Sequence, residues 1–438
     1  MSLRLFIAAL LYRRNRQWFG RGLFLFALVS LVNMAGCAST ATVPETSTSF
    51  LERKQTQVIG EIRLSVAVPS ATESRKLFGG SLYAQGVQPL WLGIDNGSDA
   101  GIFFLPIGTD PLYFSPTQSA YLASLDADKR DPEALERRFY QSSKGLRVPS
   151  GQSLSGFVFT ALDEGTKAFN VDLISDELQA YSFTFFVPVP GLKLDHSEVN
   201  WDEIYSEDAW QQINDDKTLI EALERMPCCT SDKKGEDQGD PLNIVVIGEV
   251  DHVYRAFLRA SWDETETIHA GSLWKTAKSF FSGGDYRYSP VSGLYVFGRA
   301  QDVAFQWTRE NIHERNHLRL WLTPLRYRGT PVWIGQISRD IGVRFTTRTV
   351  TTHKVDPNVD ETREYLLENL AYSQALRAIG YVQGVGEAAM DSPRANLTGD
   401  PYFTDGYRVV LWVASTPTDI AEIKVLPWRQ PPLPSSPD

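Results

Sequence analysis

The stretch from Asn311 to Arg363 carries His313, His317 and His353 together with Asp340, Asp356 and Asp360. Imidazoles and carboxylates are the groups that exchange protons near neutral pH or ligate metal ions. Arg319 and Arg363 add planar forks suited to anions. The catalytic candidates by residue type are therefore His317, Arg319, His353, Asp356, Asp360 and Arg363. From His317 to Thr323 the chain alternates, with Leu318, Leu320 and Leu322 on one side and His317, Arg319, Trp321 and Thr323 on the other. A strand with one face in solvent would read the same way.

The helix that follows is more informative. At 100° per residue, Val359, Leu366, Leu367 and Leu370 share one third of the circumference, and Asp360 and Arg363 fall inside or at the edge of that arc. Glu361, Glu364 and Glu368 fall opposite. Two inward charges must be paired, because burying either alone costs several kcal/mol. An internal ion pair fixing the helix to a sheet and a ligand-binding pair are both compatible with this. Asp356 before Pro357 reads as an N-cap with proline in the first turn.

His353 precedes Asp356 by three residues and Asp360 by seven, which is not a known metal motif. His353 with the two aspartates could still bind a divalent cation if His317, Asp400 or Asp405 came near; Asp400 and Asp405 also fit as turn formers in Asp-Pro and Asp-Gly pairs. No cofactor can be named from the sequence. There is no GxSxG nucleophile elbow, no GxGxxG after a strand and no phosphate loop. His196, His252, His269 and His313 read as solvated.

These residues need elements to position them. An alternating run, Gln57–Ser70, predicts a strand; Ala71–Phe78 predicts a helix, and Ser115 caps another that begins at Pro116. Strands follow at Val87–Ile94, Ile102–Ile107, Ser153–Ala161, Ala168–Leu173 and Tyr181–Val189. Residues 56–191 thus predict an immunoglobulin-like β-sandwich. Residues 192–240 read as an acidic linker with an amphipathic helix at Glu207–Met226. Residues 241–416 predict strands at Asn243–Gly248, Pro290–Gly298, Val303–Trp307, Leu318–Thr323, Val332–Ile337, Gly342–Thr347, Tyr381–Val385 and Arg408–Ala414. Helices are expected at Val253–Ala260 and Pro357–Ile379. That order predicts an α+β domain with a largely antiparallel sheet and helices on one face. Residues 417–438 form a proline-rich tail.

The chain has 438 residues, 42% hydrophobic and 22% charged, the composition of a folded protein. Residues 1–36 carry five arginines, no acidic residue and an apolar run from Leu23 to Gly36, the pattern of a secretory signal. Met34-Ala35-Gly36-Cys37 resembles the bacterial lipobox, which implies lipidation of Cys37 and, with Ala38 next, an outer-membrane lipoprotein facing the periplasm. An uncleaved membrane anchor is the alternative. Residues 37–55 would form a flexible tether. Without the leader, 38 basic residues stand against 53 acidic ones, a net charge of −15 that argues against nucleic-acid binding. Cys228 and Cys229 are adjacent; a vicinal disulfide and a reduced structural turn are both open.

Five blocks from Cys228 onward resemble the LssY C-terminal domain family: CCTSDKKGEDQGDPLNIVVIG, YRYSPVSGLYVFGRAQD, ERNHLRLWLTP, TTHKVDPNVDETREYL and LTGDPYFTDG. The resemblance implies a link to type I secretion but no established activity. The preferred expectation is a lipid-anchored envelope protein of non-enzymatic binding or accessory type, held to the membrane and engaging an envelope protein partner. The alternative is a periplasmic hydrolase of an envelope substrate using the His/Asp/Arg cluster, with or without a metal.

Overall fold

Gly60 adopts φ +57° and turns the chain back on itself, so the run expected as one strand forms a hairpin, β1 (Gln55–Ile59) and β2 (Ile62–Ala67). The computed structural model describes residues 49–125, 131–143, 145, 147–163, 166–189, 204–264, 293–308, 315–344 and 352–432. The leader, Cys37, most of the tether, His196, His269, His313, much of the linker and the last tail residues lie outside the described residues.

Strands β3 (Val87–Asn96), β4 (Ile102–Leu105), β5 (Arg147–Val148), β6 (Ser153–Ala161), β7 (Thr166–Ser175) and β8 (Ala180–Pro188) complete the first half. They form two antiparallel sheets, in the orders β1-β2-β3-β6 and β5-β4-β7-β8. Ile62, Leu64, Leu90 and Leu92 from the first meet Phe104, Val171, Leu173 and Phe185 from the second in one apolar core. The outer face of β3 and β6 is covered by three helices: α1 (Ala71–Phe78), α2 (Pro116–Ser124) and α3 (Pro132–Ser142). Ser70 and Glu73 cap α1 reciprocally, and Ser115 caps α2 before Pro116 as expected. Helix α3, capped by Asp131 before Pro132, has no counterpart among the sequence expectations.

The expected helix at Glu207–Met226 is shorter. Gln211–Ile213 pairs in parallel with a long strand as β9, and Asp215 caps α4 (Asp216–Glu224). A small sheet holds β10 (Cys229–Ser231), β11 (Gln238–Pro241), β14 (Tyr295–Val296) and β15 (Arg299–Ala300). The main sheet takes β12 (Ile244–Ile247), β13 (Asp263–Glu264), β16 (Val303–Thr308), β17 (Arg315–Tyr327), β18 (Thr330–Arg344), β20 (Leu376–Gln383), β23 (Tyr407–Val413) and β24 (Lys424–Val425). Its order is β13-β16-β17-β18-β12-β23-β20-β24, with β9 on β17 and β19 (Thr352–Val355) on β18. Two-residue strands β21 (Arg394–Ala395) and β22 (Pro401–Tyr402) pair separately.

Most pairs are antiparallel; β12–β23, β17–β9 and β20–β24 are parallel. Helices α5 (Val250–Arg259) and α6 (Val359–Tyr372) pack on one face with Leu318, Leu320 and Ile337. Helix α4 covers the other face through Leu219 and Leu223, against Val245 and Val332. The protein is therefore mixed α+β, but with helices on both faces of the main sheet. Among the described residues no helix is long and apolar enough to cross a membrane.

Candidate functional site

Alternation along β17 sends Leu318 and Leu320 toward α5 and α6, so Arg315, His317 and Arg319 point to the opposite face. Antiparallel registry sets His317 opposite Gln306 on β16 and Ser338 on β18, and Arg319 opposite Gln336. All are buried. His317 Nε2 lies 2.7 Å from Asp340 Oδ2, and Arg315 Nη2 lies 3.9 Å from the same oxygen. Arg315 also donates to Gln306 Oε1 at 3.3 Å, and Arg319 to Gln336 Oε1 at 2.9 Å.

Burial pulls the His317 imidazole down to about 4; Asp340 opposes that shift, and Arg315 and Arg319 add to it. His317 is then neutral at pH 7. Nε2 faces the Asp340 carboxylate, and Nδ1 is buried with no hydrogen-bond partner among the described residues. Burial also lowers the Arg315 and Arg319 guanidinium values and raises the carboxyl of Asp240, whose Oδ1 accepts from Asn396 Nδ2 at 3.1 Å.

The second cluster lies at the start of α6. Arg363 is 2% exposed and donates to Asp360 at 3.2 Å, to both oxygens of Asp405 at 2.8 and 2.9 Å, to Glu364 and to the Tyr407 carbonyl. Asp360 accepts in turn from the Thr404 hydroxyl and the Asp405 N–H. Burial works against the Arg363 charge, but the three carboxylates more than offset it and raise its value. Burial raises Asp360 despite Arg363. Tyr381 donates to Glu364 at 2.6 Å. The inward pair expected from the helix geometry is therefore a lock between α6 and the loop leading into β23.

The catalytic candidates whose side chains are described fall in separate places. His317 and Arg319 occupy the face of the sheet away from α6, whereas Asp360 and Arg363 belong to α6 and its loop. Asp356 Oδ1 accepts the Asn358 N–H, and Asn358 rather than Asp356 caps α6. His353 pairs through its backbone with Val343 in β19; its side chain lies outside the described residues. Asp400 accepts from Thr398 at 2.7 Å in a turn closed by Asn396, and Asp405 is bound to Arg363. Among the described residues no group of three or more His, Cys, Asp or Glu is disposed to hold a metal ion.

Two features, Arg408 and a cleft, had no place in the sequence expectations, and of the two alternatives left open for Cys228 and Cys229 the disulfide is the one observed. Arg408 is fully buried with no carboxylate partner among the described residues; it donates to the carbonyls of Leu223, Met226, Pro227, Leu242 and Gly384. Burial lowers it to about 10. Gly384, at φ +129°, leaves room for it, since a Cβ there would lie 2.8 Å from Arg408 Nη1. Cys228 and Cys229 form a disulfide, with Cys229 Sγ 3.9 Å from the Tyr402 hydroxyl. A cleft between the first half and α5 is lined by Asp110, Asp163, Lys167 and Trp262, and Lys167 Nζ is 2.5 Å from Asp163 Oδ2. Asp110-Pro111 is a turn signal in the sequence, but nothing local shows that it shares a cleft with Lys167.

The second half is thus an α+β domain with a buried polar row on one sheet face and a charged lock on the other side. Residues 221–407 match the family model described as LssY C-terminus. No curated protein matches the chain.

Proposed function

We propose that this is a lipid-anchored cell-envelope protein of non-enzymatic binding or accessory type. It sits on the outer membrane facing the periplasm, and its role is secretion- or transport-related. Its first half is read as an immunoglobulin-like sandwich that carries the LssY C-terminal domain. The observation that supports this reading is how the ionisable groups are used. Arg363 is surrounded by three carboxylates, Arg408 by main-chain carbonyls, and His317 is neutral against Asp340. General acid–base catalysis needs such groups converging on one accessible point. Crosslinking on intact cells followed by pull-down of the full chain is expected to recover a stable envelope protein partner. A chain that is recovered alone would refute the reading.

A second reading, a hydrolase of an envelope substrate, has one observation in its favour. A neutral imidazole bonded to a carboxylate with its other nitrogen open is the arrangement of a general base. Its burial and its separation from Asp360 and Arg363 weigh against it. Metal analysis of purified protein discriminates further: a stoichiometric divalent ion would favour the hydrolase.

A further inference from the structure

Exposed apolar side chains are unevenly distributed. Of sixteen large ones among the described residues, seven lie between Phe103 and Tyr140, about a tenth of those residues. Five of these, Leu112, Tyr113, Tyr121, Leu125 and Tyr140, belong to α2, α3 and the chain just beside them. Tyr121 and Leu125 are 65% and 56% exposed and stand one turn apart on one helix face. Thr117 donates to Glu136 at 3.3 Å, which brings the exposed edges of the two helices together. Tyr121 and Tyr140 each lie one turn beyond a member of that pair. The inner faces of the same helices are fixed by Ala120, Ala123, Leu135 and Phe139. The outward tyrosines are therefore held by a packed base rather than by a loose loop.

The place where the chain enters the fold says what covers this surface. Phe50 is fully buried in the same apolar cluster as α2 and α3, 5.8 Å from Phe157. Ser49 and Arg53 both bind Glu73, at 2.6 Å each, and pin this point to α1. Only eleven residues lie between Cys37 and Ser49. Fully extended they reach no more than roughly 40 Å. A lipid on Cys37 therefore keeps this end of the molecule at the membrane. Tyrosine, with an apolar ring and a polar tip, suits the headgroup level of a bilayer. Arg137 and Arg138 are exposed on α3 beside the equally exposed Glu133 and Glu136, with Arg137 3.5 Å from Glu133, and a face bearing both signs suits zwitterionic headgroups such as phosphatidylethanolamine.

We propose that the outward side of α2 and α3 is a membrane-contact surface seated on lipid headgroups beside the anchor. This rests on the reading of Cys37 as lipidated, and the test separates the two. The full chain is reconstituted in vesicles of phosphatidylethanolamine and phosphatidylglycerol containing a photoactivatable lipid, and labelled peptides are mapped by mass spectrometry. Labelling is expected over 112–125 and 132–142, and to fall about tenfold in the Tyr121→Ser, Leu125→Ser, Tyr140→Ser triple variant. Because these side chains are exposed, the variant should melt at the wild-type temperature. Lipid label confined to other segments, an unchanged yield in the triple variant, or crosslinks from this surface to protein instead of lipid would each overturn the proposal. The mass of the Cys37 peptide is read separately. An unmodified Cys37, or lipid still present in Cys37→Ser, defeats the anchor reading whatever the helices do.

Discussion

His317 is carried inside as a neutral base, whereas Arg363 is carried inside as a permanent cation, and their surroundings differ accordingly. Arg363 has every guanidinium nitrogen on an oxygen. His317 has one partner, Asp340, at 2.7 Å. Its folded-state value of about 4 lies below the ordinary 6.5, so between these values the unfolded chain binds a proton that the folded chain does not. Stability is therefore full above pH 6.5 and declines as pH falls toward 4, by roughly 3 kcal/mol across the window. Asp240 and Asp360 have raised values and shift stability with the opposite sign, but they are common to wild type and variant. Denaturant unfolding at pH 7 and pH 5 should show wild type losing about 2 kcal/mol more than His317→Gln over that interval. Equal losses would mean that His317 is not held neutral.

At the scale of elements, α6 shows what sequence periodicity can reveal. Val359, Leu366 and Leu370 are buried along the expected arc, and Asp360 and Arg363 lie inward among them. The partner Asp405 could not be read, because it arrives from 42 residues away on the loop before β23. Removing the cation should leave Asp360 and Asp405 facing each other with little water. Arg363→Met is expected to cost about 3–5 kcal/mol in denaturant unfolding, and adding Asp360→Asn and Asp405→Asn should restore part of it. A loss near zero would make the lock ornamental. The end of α6 was also hidden. Gln374 takes φ +61° and stops the helix, so Leu376 and Ile379, which continue the apolar pattern, fall in β20. Asn358 displaced Asp356 as the cap because Asp356 uses its side chain on the Asn358 N–H. Arg408 was illegible for another reason: its partners are main-chain carbonyls, which leave no mark in a sequence.

At the scale of the whole chain, α5 is the wall that both halves share. Its inner side packs Phe257 against Phe305, with ring centroids 4.6 Å apart, inside the α+β core. Its outer side sets Tyr254 edge-on to Phe186 of β8 at 5.1 Å. The Arg255 carbonyl accepts from Asn170 at 3.2 Å, and Arg255 Nε donates to the Thr184 hydroxyl at the same distance. Arg259 lies 3.9 Å from Asp172. Ser49–Asp438 accordingly forms a single compact unit. A junction of this kind, aromatic at its centre and hydrogen-bonded at its edge, makes opening one half costly for the other. Calorimetry of the wild type should therefore show one unfolding transition with calorimetric and van't Hoff enthalpies in agreement. Tyr254→Ala with Arg255→Ala removes the Phe186 ring contact and the Thr184 hydrogen bond and is expected to cost about 2–4 kcal/mol and split the transition in two. Because Tyr254 also touches Phe305, the same contact has to be approached from the other side. Phe186→Ala with Asn170→Ala leaves α5 intact and should split the transition as well. If both double variants still unfold in one step, the halves are coupled somewhere other than α5.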